Sequence, residues 1–379
     1  MEKEGDDKNA GWHFLGLSSR RRVFFKYEKR IRELSPPDKV FDYFASVSQN
    51  GSRLMTPADL LSSLVAVYPP EGTLLERTGA LKGDRRIAPA PLTRAMQGTD
   101  FFDQFDTDGD GYICFGEYLL IVTFLAIPLE DVEIIFSMFD DDNSGAISLA
   151  EFLHVTSSLQ KRLHHVSPIK RTGLQTEAGE EGHGLLLTFF GDDGKQQLDL
   201  THFSNFCRAL HAELVRLEFL HYDHDNKGYI SGASFAHSLV SHTHMQDIDR
   251  YLTTIDNMPE ALKSVKVSWE NFQNFALLRQ SAHRLAVALD FFFSTEGKIG
   301  REDFERAVVK VLGHSLPALL VDIICGVYAT DDGHLRYRDL LYSIQKREGN
   351  MIYSKQMLEL DPASDKSMFA CMRGCLFPK

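Results

Sequence analysis

Two stretches of twelve residues constrain this chain more than anything else in it. Residues 106–117 read DTDGDGYICFGE and residues 140–151 read DDDNSGAISLAE. In the first, Asp106, Asp108 and Asp110 stand at positions 1, 3 and 5, with Gly111 at 6, Tyr112 at 7 and Glu117 at 12. In the second, Asp140, Asp142 and Ser144 hold positions 1, 3 and 5, with Gly145 at 6, Ala146 at 7, Ser148 at 9 and Glu151 at 12. Alternate side chains on a tightly turning loop aim oxygens at one point. Glycine permits the turn, residue 7 adds a backbone carbonyl, and the closing glutamate adds two oxygens. Six to eight hard oxygens are what Ca²⁺ requires, so both stretches read as EF-hand calcium loops. Cys114 at position 9 of the first predicts a water at that ligand place, and the second, with three ligand carboxylates against four, predicts the weaker site.

The flanks agree. Val132, Ile135, Phe136 and Phe139 keep helical spacing into the second loop, and Tyr118, Ile121, Val122 and Leu125 keep it out of the first. A skeleton recurs, in which an aromatic is followed eight residues on by Ile or Leu and five further on by another apolar residue. It runs through Phe105/Ile113/Tyr118, Phe139/Ile147/Phe152, Phe190/Leu198/Phe203 and Tyr222/Ile230/Phe235. Weaker copies are Phe291/Ile299/Phe304 and Val327/Leu335/Leu340. The position-8 residues pair at separations of 34, 32 and 36, which predicts six helix-loop-helix units in three pairs. Only the first pair keeps its ligands. Asp223, Asp225 and Gly228 begin a third loop and make a possible weak metal site, but Lys227 stands at position 5 and Ser234 at 12. Gly191 and His202 replace acids in the loop 191–202, and the loops near 294–303 and 329–339 are short of ligands. These four are expected to be structural hands.

The formal charge of -12 argues against nucleic acid and suits carboxylates gathered around cations. One block departs from it: residues 20–32 carry Arg20, Arg21, Arg22, Lys26, Lys29, Arg30 and Arg32 against one Glu. Such a block reads either as a solvated helix face or as a docking surface for an acidic partner or membrane. The stretch 160–184 reads as a polar linker, and the histidines, without zinc spacing, as surface or turn residues. Cys114, Cys207 and Cys325 read as buried small hydrophobes; Cys371 and Cys375, near the C-terminus, leave an intermolecular disulfide open. The apolar runs 118–129 and 316–328 are too short to cross a bilayer, and the opening residues lack the apolar core of a secretory signal. No phosphate loop, kinase element or nucleophile elbow appears, so no enzyme is expected.

Some segments are more specific than any EF-hand. KYEKRIRELSPPDKVFDYFASV at 26–47, MTPADLL at 55–61, TFFGDDGKQQLDLTHF at 188–203, LVRLEF at 214–219 and MFAC at 368–371 resemble the mitochondrial calcium uptake (MICU) family, the EF-hand gatekeepers of the mitochondrial calcium uniporter. The resemblance runs from about residue 20 to 375. It implies a mostly α fold: EF-hand pairs in two lobes (91–210 and 211–350), a small N-terminal α/β or α+β domain (1–90) and a C-terminal helix (351–379). It further implies a homo- or heterodimer peripheral on the inner membrane, in the intermembrane space, that holds the channel shut at low Ca²⁺. The seven basic residues of 20–32 would meet acidic groups at the pore mouth or on its small regulatory subunit, and Cys371 matches an inter-subunit disulfide position. The chain departs from the animal members of the family, because both intact loops fall in the first lobe and the C-terminal hand lacks its ligands. The other reading left open is a soluble Ca²⁺ sensor or buffer acting on another target.

Overall fold

The computed structural model describes residues 17–49, 51–69, 101–106, 110–164 and 184–350. The chain is mostly helical, with very short strands tying helix-loop-helix units together. It enters on α1, Leu17–Leu34, which has no internal glycine or proline and stops ahead of Pro36 and Pro37. A residue that precedes proline is pushed out of the helical region, whereas proline is well suited to a first helical position. The pair therefore ends α1 and starts α2, Pro37–Phe44, which buries Val40, Phe41 and Phe44. Strands β1 (Val47–Gln49) and β2 (Ser52–Leu54) form a hairpin that turns at Gly51, where φ is 82°. Helix α3, Pro57–Leu64, again opens on proline.

Two compact units emerge. Among the described residues, one is built on those of 49–57 and 101–214, the other on those of 17–48, 58–69 and 215–348, the boundary falling inside the helix Leu200–Tyr222. The described residues of the expected N-terminal domain are thus shared between the two. The expected C-terminal helix, with Cys371 and Cys375, lies outside the described residues, as does most of the expected linker.

The 99–214 unit has an aromatic core. Phe124, Phe152, Phe189, Phe203 and Phe206 are buried, and rings meet edge to face at 4.8 Å for Phe189 and Phe206 and 5.3 Å for Phe124 and Phe206. The 215–348 unit packs Phe235, Tyr251, Phe272, Phe275, Ile323 and Leu340 together, with Phe25 of α1 and Tyr68 in the same core. It also buries charge. Arg279 forks onto Glu218 with both contacts at 3.2 Å, and Arg347 Nη2 donates to Glu218 Oε2 at 2.6 Å. Burial pushes the Glu218 carboxyl up, but the two guanidiniums outweigh it and leave it at about 2.

The strand pairing corrects the sequence reading. Ile113 bridges to Met55, and β3 (Ala146–Ile147) pairs with β4 (Leu198–Asp199), so that Ile147 faces Leu198. Strand β5 (Tyr229–Ser231) pairs with β6 (Lys266–Ser268), placing Ile230 opposite Val267. Only the last pair stands as expected, with Leu335 N donating to Ile299 O at 2.9 Å. Hands pair consecutively from the first one in the chain, and two went uncounted. The skeleton is present at Val47/Met55/Leu60 and at Pro259/Val267/Phe272, without an aromatic in its first slot. Met55, Leu60, Val267 and Phe272 are all fully buried. The uncounted hand at α2–α3 shifts the pairing phase by one, so the two intact calcium loops are not each other's ladder partners.

The histidines are corrected as well. His211, His221, His237 and His242 are buried rather than on the surface. His237 stacks on Tyr68 at 4.4 Å, and the ring of His242 accepts from Ala66 N at 3.4 Å.

Candidate calcium loops

The helix Val132–Phe139 stops at Asp140, where the backbone leaves the helical region (φ −79°, ψ 80°). Asp140 then organises the turn: Oδ1 accepts from Ser144 N and Oδ2 from Gly145 N, both at 2.9 Å. Asp142 Oδ1 also accepts from Ser144 N at 2.9 Å. Two residues must take left-handed backbone, and they are Asn143 (φ 56°) and Gly145 (φ 86°), the types that tolerate it best. At the other end Glu151 does two things. Its Oε2 accepts from Ser148 N at 2.8 Å and Ser148 Oγ at 2.6 Å, capping the helix Leu149–His164. Its Oε1 accepts from Asp141 N at 3.0 Å, which straps the loop's exit to its entrance. The Ser148 hydroxyl and amide hold the Glu151 carboxyl below the usual range, so it is anionic where a cation would meet it.

One carboxylate oxygen each from Asp140, Asp142 and Glu151 lies within 4.8 Å of the others. Ser144 Oγ donates to Ala146 O at 2.9 Å, which keeps the hydroxyl and the position-7 carbonyl together. The donors are all hard oxygens. They fit Ca²⁺ and not a metal that seeks thiolate or imidazole.

The loop 106–117 repeats the pattern. Asp106 accepts from Asp110 N at 3.2 Å and Gly111 N at 2.8 Å, and Asp110 accepts from Tyr112 N at 2.8 Å. Glu117 is buried and accepts from Cys114 N at 2.8 Å, the same cap that Glu151 makes with Ser148. Burial first, and Glu117 second, push the Cys114 thiol up to about 12, so it stays protonated and offers no thiolate. Asp108 lies outside the described residues.

The loop 223–234 keeps the backbone and loses the ligands. Asp223 accepts from Lys227 N and Gly228 N, both at 2.8 Å, and Asn226 and Gly228 are left-handed at φ 53° and 76°. Asp225, however, is already held by the Lys227 ammonium at 2.5 Å, with His224 Nε2 at 3.3 Å. Ser234 at position 12 donates its amide to Ser231 Oγ at 3.0 Å and reaches no further into the loop than that pair.

The basic block is largely consumed inside the fold. Lys29 is buried and donates to Ser241 O at 2.9 Å, at the C-terminal end of the helix Gly232–Val240. Arg32 is buried, donates to Ser62 O in the last turn of α3 at 2.6 Å and lies over the Phe44 ring. Helix C-termini leave carbonyls without partners, and these two cations supply them. Arg21 is buried against Pro69 O and the Tyr68 ring. Arg22 pairs with Asp256 and Lys26 with Asp249. Arg30 is exposed, and the Arg20 side chain is not among those described. A charge run marks an outer face only when no acceptor inside the fold claims it, and here Arg21, Lys29 and Arg32 are claimed.

A family model for an EF-hand domain pair matches residues 99–157, the stretch that holds both intact loops. Over 348 residues the chain is 37% identical to an Arabidopsis thaliana protein named calcium uptake protein, mitochondrial, covering 90% of this chain and 69% of that one. The chain belongs to the calcium uptake protein (MICU) family. It is 26% identical over 348 residues to calcium uptake protein 1, mitochondrial, of Danio rerio, covering 87% of this chain and 70% of that one. Among solved structures, the apo structure of MICU2 superposes with a TM-score of 0.61 at 21% identity, covering 90% of this chain and 95% of that one. EFHA2 in its Ca-binding state gives 0.53 at 21% identity, covering 80% and 97%. These likenesses carry the fold. Membership makes the chain a calcium-binding EF-hand protein of a regulatory family that is not a family of enzymes. No described helix is long and apolar enough to cross a membrane.

Proposed function

We propose that this protein keeps the mitochondrial calcium uniporter closed at low Ca²⁺ and permits uptake when Ca²⁺ fills the loops 106–117 and 140–151. The ligands in this reading are Asp106, Asp108, Asp110, Tyr112 and Glu117, then Asp140, Asp142, Ser144, Ala146 and Glu151. The protein acts from the intermembrane space as a peripheral dimer joined at Cys371. Family membership supports the setting, since the relatives are named mitochondrial calcium uptake proteins.

The observation that carries the reading is the double engagement of Glu151, which caps its helix and also straps the loop entrance through Asp141 N. An ion between Asp140, Asp142 and Glu151 competes for that carboxylate, and the helix that Glu151 caps moves with it. The resulting shift in the gate is limited by the difference in Ca²⁺ affinity between its two states. Of the basic block, Arg30 is exposed and faces an acidic partner in this reading, joined by Arg22 and Lys26 if the partner's acids displace Asp256 and Asp249, because Arg21, Lys29 and Arg32 are buried.

The decisive experiment replaces Glu117→Gln together with Glu151→Gln and follows mitochondrial Ca²⁺ uptake across external Ca²⁺. The expected outcome is loss of Ca²⁺ binding and a uniporter that stays shut. A double variant that binds no Ca²⁺ yet still opens on Ca²⁺ overturns the scheme.

A further inference from the structure

The loop 223–234 raises a question the calcium sites do not answer: what keeps a hand folded once its ion ligands are gone. We propose that in this hand the Lys227 ammonium has replaced the ion, so that the loop holds its folded form at every Ca²⁺ concentration and takes no part in sensing.

The position-1 contacts of the loop match those of 140–151. Position 1 accepts from the amides of positions 5 and 6, at 2.9 Å twice in Asp140 and 2.8 Å twice in Asp223. Asparagine at position 4 and glycine at position 6 are left-handed in both. The difference lies at position 3, where the carboxylate of Asp225 meets the exposed Lys227 ammonium. In 140–151, Asp142 points a carboxylate into the ring with Asp140 and Glu151. In 223–234, the matching Asp225 is neutralised by the side chain of its own position 5. The charges also balance alike. Three ligand carboxylates with Ca²⁺ leave one negative charge, and two carboxylates with one ammonium leave the same. Losing the position-12 glutamate and gaining Lys227 are therefore matched changes.

The exit end is fixed without an ion as well. Ser231 Oγ accepts from Ser234 N and donates to Ser234 Oγ at 3.0 Å. The ladder behind it spans Tyr229–Ser231 against Lys266–Ser268, longer than the two-residue ladder of the calcium loop. The same device recurs nearby. Asp303, at position 12 of the hand around Ile299, is held by Arg306 and by Gly300 N at 2.8 Å. Asp339, at position 12 around Leu335, is held by the Tyr251 hydroxyl and by Arg250 Nη2 at 3.2 Å.

The test is a calorimetric Ca²⁺ titration of the full chain, with amide hydrogen exchange at Gly228 as a second readout. Wild type is expected to bind two Ca²⁺, and the variant Lys227→Asp with Ser234→Glu three. Lys227→Met is expected to speed exchange at Gly228 several-fold without Ca²⁺ dependence, and Lys227→Arg to restore the wild-type rate. Three ions bound by wild type overturn the proposal, as does wild-type exchange in Lys227→Met. Neither readout involves the channel, so failure here is distinct from failure of the gatekeeper reading.

Discussion

The hands of the 99–214 unit and those of the 215–348 unit share a backbone design and differ in how their acids are engaged. In the first unit, one carboxylate oxygen each from Asp140, Asp142 and Glu151 converge within 4.8 Å. In the second, three loop acids are paired with a cation of the same unit, Asp225 with Lys227, Asp303 with Arg306 and Asp339 with Arg250, while Asp223 keeps the backbone contacts of Asp140. The lesson is that an EF-hand has two partly separable parts. The position-1 turn and the position-8 ladder hold its shape, while the position-12 acid both caps the exit helix and faces the site. Shape therefore survives where ligand acids are missing or paired with a cation.

Several changes strain or refine this contrast. The largest effect is expected from Glu218→Gln, which takes from buried Arg279 and Arg347 the carboxylate that both bond and leaves them the Glu348 carboxylate at 3.7 Å. Breaking a buried pair in this way costs about 3–5 kcal/mol. Denaturant unfolding should show the loss while calorimetry still counts two Ca²⁺; a drop in Ca²⁺ stoichiometry as well would break the contrast.

Acid comes next. Burial holds His221 down at about 4 and His237 at about 3, against an ordinary 6.5. Both stay neutral in the folded protein while the unfolded chain takes protons, so stability is present above pH 6.5 and falls as pH drops from there toward 4. The depression at His221 corresponds to roughly 3 kcal/mol. Glu218, held at about 2, adds a further loss as pH falls below 4.5. Melting temperatures at pH 7.5 and 5 check the direction, and Trp269, packed 5.3 Å from Phe219, reports on the 215–348 unit.

The smallest effect is a matched pair. Gly145→Ala and Gly228→Ala both put a Cβ on left-handed backbone with nothing within 4 Å of it, so conformation is the whole cost. That cost is about 1–2 kcal/mol in each. Equal loss of stability is expected, with weaker Ca²⁺ binding only in Gly145→Ala.

The calcium loops were legible in the sequence because an EF-hand site is local. All of the expected ligands fall within twelve residues, and Asp140, Gly145 and Glu151 stand in the turn and cap geometry that their spacing predicts. The repeat was partly legible. Requiring an aromatic in the first slot hid the hands at Met55 and Val267, although their buried position-8 and position-13 residues carry the signal. The burial of part of the basic block was not legible, for a different reason. Periodicity shows that Lys29 and Arg32 lie on a helix, but not that carbonyls at Ser241 and Ser62 await them 212 and 30 residues away.

The sequence by itself determined that this protein has two calcium loops, a helix-loop-helix repeat and its family. Tertiary structure alone decided which hands share a ladder, where the basic residues of α1 go, and that His221, His237 and His242 are inside. The physical reason is range. Ligand spacing and helical periodicity act within a dozen residues, where chain geometry fixes the outcome. Ladder pairing and buried charge depend on partners brought together by folding, and a single uncounted hand is enough to shift every pairing downstream until the phase recovers at Val267.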